Sequence, residues 1–282
     1  MPLIATPVQR REAFTARYGP WALVTGASAG IGAEFSRQLA ARGLNLVLVA
    51  RRADALQALA QELSSHYAIE ASVLPCDLAA PEALGIIAAA TDALEIGLLV
   101  NNAGAPSFHG HFVEREPAEV EQLVQFNTRV QVLLCHHFLR RMAGRRRGGL
   151  IQVASITGHV SMPFMVEYSA GKAYQLTLAE ALHHEMQYWG VDCLALAPGA
   201  TVSERISYGM PARRVVASAL RNLGRVPSVI PGMRNRLRMF YLRQIRLRRG
   251  MVKVCGRFQY AHLKRKPWLD NPTASGADDS LY

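Results

Sequence analysis

Six short apolar runs, each followed by a segment of different periodicity, constrain this 282-residue chain more than any other feature. They are WALVT (21–25), LNLVLVA (44–50), ASVLPC (71–76), IGLLVN (96–101), LIQVAS (150–155) and VDCLALAP (191–198), with PSVIPG (227–232) a candidate seventh. Runs this apolar are buried on both faces, as in a parallel sheet covered by helices. Between them Ile31, Phe35 and Leu39, and then Leu56, Leu59 and Leu63, recur at helical spacing. Further helices are predicted around 81–92, in one long stretch from about 117 to 143, and over 167–189. Strand–helix alternation with right-handed crossovers predicts an α/β fold with a doubly wound parallel sheet. One sheet takes up most of the chain, so a single domain is expected over 19–232, with a substrate lid near 203–226. Residues 1–18 read as a flexible N-terminal extension and 233–282 as a basic C-terminal extension.

Half of the residues are apolar, enough for a large core without disulfides or metal. Cys76, Cys135, Cys193 and Cys255 are scattered, without a C-x-x-C pair, which fits buried thiols in a reducing compartment. No signal-peptide pattern and no transmembrane-length apolar run is read, so a cytoplasmic location is expected. The formal charge of +11 is uneven: residues 205–269 hold 17 of the 32 Lys and Arg, and all 21 Asp and Glu lie outside them. The body of the chain is therefore mildly acidic, and the pI does not imply nucleic acid.

The first apolar run leads directly into Gly26-Ala-Ser-Ala-Gly30-Ile-Gly32 and then a helical segment. Strand, tight glycine turn and helix N-terminus are the parts of a dinucleotide-binding Rossmann fold, where small residues admit a pyrophosphate to the backbone. An NAD site wants an acid at the end of the second strand. That strand ends Val49-Ala50-Arg51-Arg52, and two guanidiniums suit a 2′-phosphate, so NADP(H) is the expected cofactor.

Tyr168 and Lys172, in EYSAGKAYQ, lie one helical turn apart on one face. A tyrosine is a poor acid–base group at neutral pH unless a nearby cation favours its phenolate. Alone the pair is weak. In order with TGASAGIG (25–32), NNAG (101–104) and Ser155, thirteen residues before Tyr168, it strongly resembles the short-chain dehydrogenase/reductase family over about 20–232. The branch that it resembles contains 17β-hydroxysteroid dehydrogenases and long-chain 3-ketoacyl reductases. The resemblance implies a pyrophosphate turn of Gly26, Ser28, Gly30, Ile31 and Gly32, and a 2′-phosphate site of Arg51 and Arg52. It implies adenine contacts at Asp77 and Leu78, and sheet and ribose support from Asn101, Ala103 and Gly104. Pro198, Gly199 and Thr201 match the segment beside the nicotinamide. Where many members keep a Thr five positions after that Pro, this chain has Ser203, so either Thr201 or Ser203 would bind the carboxamide. The implied catalytic set is Ser155, Tyr168 and Lys172, with Asn127 holding a water near the lysine.

The resemblance implies carbonyl reduction, with Tyr168 giving a proton to the substrate oxygen and Ser155 holding it. Alcohol oxidation by the same parts, and a regulatory protein that keeps the fold without turnover, are the alternatives. Met162, Pro163, Phe164 and Met165, with Tyr208 and Met210, read as either an apolar substrate wall or ordinary packing. As a wall they imply a lipophilic ketone or 3-oxoacyl substrate, free or carrier-bound. His109 and His111 read as a substrate entrance or as exposed loop, and no metal site is expected. Family members are usually homodimers or homotetramers, packed through the helices at 117–143 and 167–189. The basic segment 234–254 packs on the core, lies on an anionic membrane or meets an acidic partner.

Overall fold

The computed structural model describes residues 6–104, 110–204, 206–244, 255 and 257. Seven parallel strands form one sheet: β1 (Trp21–Thr25), β2 (Asn45–Ala50), β3 (Ala71–Pro75), β4 (Ile96–Asn101), β5 (Gly149–Val153), β6 (Asp192–Leu196) and β9 (Ser228–Val229), in spatial order 3-2-1-4-5-6-9. Two residue pairs, β7 (Thr201–Val202) and β8 (Met210–Pro211), make a separate small ladder. The chain builds outward from β1 to β3 and then returns to place β4 on the other side of β1. The crevice above β1 and β4, at the carboxyl ends of the strands, is the topological switch point where such sheets bind ligands.

Alternate strand residues serve opposite faces, as the pleat dictates. Ala22, Val24, Leu46, Leu48, Leu98 and Val100 share one core with α2 (Gly30–Ala40), α3 (Ala53–His66) and α8 (Ala212–Asn222). Leu23, Val47, Val49, Leu99 and Leu150 share the other with α4 (Ala83–Ala90), α6 (Val130–Arg145) and α7 (Val166–Glu185). The doubly wound, single-domain expectation is met.

Several expectations need correction. Residues 7–18 are no flexible extension: Pro7–Tyr18 is a helix, α1, started by a Thr6–Gln9 capping box. Tyr18 is buried, its hydroxyl donates to Asp192 Oδ2 at 2.7 Å, and Arg17 Nε donates to the same oxygen at 2.9 Å. The helix expected over 117–143 is helical throughout, from Pro117 to Arg145, but a π-helical turn over Gln125–Arg129 divides it into α5 (Pro117–Val124) and α6. Only Ser228–Val229 of the expected seventh strand pairs with β6. Ala212–Asn222 of the expected lid is α8, fixed to the core by Val215, Val216, Ala219 and Leu220. The basic extension continues from α9 (Met233–Gln244), and most of 245–282, like His109, lies outside the described residues.

Candidate active site

The glycine turn sits above β1. Gly26 and Gly30 hold φ of 65° and 55°, a left-handed backbone that favours glycine. A Cβ at Gly26 would lie 2.9 Å from Asn102 Nδ2, which donates to Thr25 O at 2.9 Å. Thr25 Oγ1 in turn accepts from the backbone N–H groups of Asn102 and Ala103, at 2.9 and 3.0 Å. Thr25 and Asn102 thus clamp the turn to the end of β4. Neither figured among the expected site residues, although both lie inside the quoted TGASAGIG and NNAG motifs. Ile31 packs on the core, and Gly32 lies in the first turn of α2 against Gly26 O, where a side chain has no room.

At the end of β2, Arg51 and Arg52 are both exposed. Arg52 Nη2 donates to Ser28 O at 3.2 Å, which ties it to the glycine turn, and its Nη1 lies 3.6 Å from the exposed Glu204 carboxylate. Beyond β3, Leu78 is buried, and Asp77 Oδ1 accepts from Ala79 N at 3.1 Å. Asn101 faces inward: Nδ2 donates to Gln152 Oε1 at 2.9 Å and to Gln131 O at 3.1 Å. It supports the sheet from within, while Ala103 and Gly104 continue to the crevice. A Cβ at Gly104 would lie 3.3 Å from Lys172 Nζ, so the glycine admits the lysine.

The polar groups converge where β5 meets α7. Ser155 follows β5, and its Oγ accepts from Thr157 N at 3.2 Å. The Ser155 side chain also stands beside the Tyr168 phenol. Burial raises the pKa of Tyr168, an effect that the neighbouring Ser155 opposes. Lys172 is buried one turn along α7, with Nζ 5.9 Å from the Tyr168 ring centre. Its ammonium donates at 2.9 Å to Val153 O and at 2.9 Å to Gln175 Oε1, and burial lowers its pKa to about 8. Gln175, another residue not anticipated, donates from Nε2 to Asn127 O at 2.9 Å. It is three residues beyond Lys172 on the same helical face, which was the available signal.

Asn127 is positioned by the π-helical turn, a feature often found at functional sites. Both polar atoms of its side chain are buried without a described hydrogen-bond partner, and such atoms normally require a bound one. Pro198 O accepts from Ile156 N at 3.0 Å, joining the segment after β6 to the turn that follows Ser155. Thr201 Oγ1 donates to Gly199 O at 3.0 Å, whereas Ser203 lies 3.5 Å from where a Cβ on Gly30 would stand. Of the two candidate hydroxyls, Ser203 is the one beside the glycine turn.

Just before α7, Phe164 and Met165 are buried, and Phe164 holds a φ of 64°. Gly110 N donates to Phe164 O at 3.1 Å, and the His111 ring meets Phe164 edge-on at 5.1 Å between centres. Arg115 Nε lies 2.9 Å from Glu167 Oε1, with side chains only 6% and 9% exposed. Tyr208 is exposed, and Met210 packs against the core. Among the described residues no cluster of His, Cys, Asp or Glu has the makings of a metal site, and no helix is long and apolar enough to cross a membrane.

The short chain dehydrogenase family model matches residues 20–208. A 7beta-hydroxysteroid dehydrogenase of Collinsella aerofaciens is 34% identical over 235 residues, covering 78% of this chain and 89% of the relative. A very-long-chain 3-oxoacyl-CoA reductase of Meyerozyma guilliermondii is 34% identical over 228 residues, covering 75% and 67%. Among solved structures, a short-chain dehydrogenase from Sphingobium yanoikuyae in complex with NADPH superposes with a TM-score of 0.71 at 30% identity, over 81% of this chain and 97% of the other. The switch-point crevice, its glycine turn and the serine–tyrosine–lysine cluster thus stand in a chain that belongs to the short-chain dehydrogenase/reductase family of oxidoreductases.

Proposed function

We propose that this protein is an NADPH-dependent carbonyl reductase acting on a lipophilic ketone or 3-oxoacyl substrate. The observation that carries the reading is the gathering of Ser155, Tyr168 and Lys172 at the carboxyl edge of the sheet, beside a turn shaped for pyrophosphate. When bound, the nicotinamide supplies the hydride. Ser155 donates a hydrogen bond to the substrate oxygen and holds it as charge develops. Tyr168 gives its Oη proton to that oxygen. Lys172 fixes the ribose side of the crevice, and Asn127 with Gln175 completes a polar route from the lysine to the π-helical turn.

NADP(H) preference rests on Arg51 and Arg52, on the absence of an acid at the end of β2, and on the tie between Arg52 and Ser28. The roles given to Asp77, Leu78, Ala103, Gly104, Pro198, Gly199 and Ser203 are contacts along that cofactor. The buried Phe164 and Met165 support an apolar substrate. Similarity to a 7beta-hydroxysteroid dehydrogenase favours, as a second reading, a steroid alcohol oxidised by the same residues. Exposed Val124, Val166 and Tyr174 on α5 and α7 support a homodimer or homotetramer through those helices. Exposed Leu237, Phe240 and Tyr241 among arginines on α9 support peripheral contact with an anionic membrane from a cytoplasmic location.

The test is Tyr168→Phe. NADPH oxidation with a ketone panel should fall by about 10³-fold while NADPH binding, followed by fluorescence, persists. Retained turnover refutes the proton donor. Wild-type NADPH binding without turnover on ketones, 3-oxoacyl thioesters or steroid alcohols favours a regulatory protein.

A further inference from the structure

Resting on the 3-oxoacyl reading, we propose that a groove between α8 and α9 binds the phosphate groups of the carrier to which the acyl chain is joined as a thioester. The groove has a volume of about 620 Å³, and Arg213, Arg214, Arg221 and Arg236 line it, with Met210 and Ile230 as apolar wall. Its geometry follows from the sequence of α8. Val215, Val216, Ala219 and Leu220 face the core, so Arg214, Ser218 and Arg221 fall on the opposite stripe, toward α9.

Counter-charges are scarce around these guanidiniums. Arg17, Arg37, Arg52, Arg115, Arg145 and Arg147 each stand within ion-pair distance of a carboxylate. None of the four in the groove pairs with a described carboxylate, and residues 205–269 contain no Asp or Glu at all. Four guanidiniums with no carboxylate partner among the described residues, around one concavity, call for more than one negative charge, which a lone carboxylate does not bring. Forked donors match phosphate oxygens in pairs.

The groove is also joined to the chemistry. Asn235, beside Arg236, lies against Gly199: a Cβ on that glycine would stand 2.9 Å from Asn235 Nδ2. Ile230 packs on the cluster of Ala154, Ala195 and Ala197, next to Ser155. One wall of the groove is therefore the chain that backs the catalytic turn, and α9 packs against that turn directly. A thioester with its keto group at Tyr168 would run its flexible arm over this wall and leave its phosphates among the arginines.

The test compares two thioesters of one 3-oxoacyl chain with the full-length protein and NADPH, one on coenzyme A and one on N-acetylcysteamine, which lacks phosphate. The triple variant Arg214→Gln, Arg221→Gln, Arg236→Gln should lower kcat/KM for the coenzyme A thioester by roughly 30-fold, through KM, and leave the other within about twofold. Equal loss on both, or loss on neither, overturns the groove. A carrier-protein thioester bearing phosphopantetheine identifies the source: a larger loss there than with coenzyme A assigns the phosphate to a protein-borne arm. If wild type reduces neither thioester, the 3-oxoacyl reading fails, and calorimetry with coenzyme A then decides the groove by itself. Binding that persists with saturating NADP⁺ and is lost in the triple variant upholds a phosphate site. Absent binding, or binding displaced by NADP⁺, overturns it. Loss of phosphatidylglycerol-vesicle binding in the variant with both thioesters unaffected would assign the groove to a bilayer and overturn it too.

Discussion

Lys172 illustrates what one buried charge does. Its pKa falls from the ordinary 10.5 to about 8 because burial penalises the ammonium. Between those values the unfolded lysine holds a proton that the folded one has released, so stability rises with pH across that window. Below pH 8 the full cost of the buried charge is present. Relative to Lys172→Met, wild type should therefore gain up to about 3 kcal/mol between pH 8 and 10.5, measured by urea unfolding of both chains at each pH. An unchanged difference would show that the ammonium's hydrogen bonds to Val153 and Gln175 cancel the penalty. A second residue-scale prediction concerns Glu204, whose carboxylate stands near Arg52. Glu204→Gln removes a like charge from beside the proposed 2′-phosphate position, and KM for NADPH should drop about threefold with KM for NADH unchanged. The residues proposed to carry chemistry could be picked from the sequence because their spacing is their signature: the glycine turn, Ser155, Tyr168 and Lys172. Asn102 and Thr25 were not, because their contribution is a hydrogen bond across the fold, and only the fold supplies the partner.

Elements were legible where periodicity is uniform and obscure where it is interrupted. Val120, Leu123, Val124, Val130 and Leu134 read as one helix, since a single extra residue in a π-helical turn barely disturbs the spacing. That turn is nonetheless what presents Asn127. The sequence is equally silent on the clamp between the loop before α5 and the start of α7, because Arg115 and Glu167 are 52 positions apart and each alone reads as surface charge. Buried together, they fix α7 one residue before Tyr168. Arg115→Met leaves the Glu167 carboxylate buried opposite a thioether and should cost roughly 3 kcal/mol, whereas Arg115→Met with Glu167→Leu should recover most of it. Urea unfolding midpoints of the single and double variants check this, and an additive loss refutes the clamp.

At the scale of the molecule, apolar strands and strand order belong together: a sheet with both faces covered could be read from the runs themselves. What could not be read is how the chain start is used. Thr6, Gln9, Phe14 and Tyr18 read as part of a flexible extension, yet Tyr18 and Arg17 reach Asp192, some 174 positions away, at the first residue of β6. Asp192→Ala strands both donors and should destabilise by about 2 kcal/mol, read as a lower urea midpoint with kcat/KM retained at low temperature. At the lower ends of β4 and β5, a Cβ on Gly97 would stand 2.5 Å from the backbone oxygens of Tyr18 and Gly19, and one on Gly149 would press at 3.0 Å on the Tyr18 ring. The first helix is in effect a stopper in the floor of the sheet, so cofactor and substrate have to come and go over the rim at the opposite end. A chain shortened to begin at residue 19 would open that floor to water, and its first symptom would be loss of solubility rather than loss of affinity for either ligand.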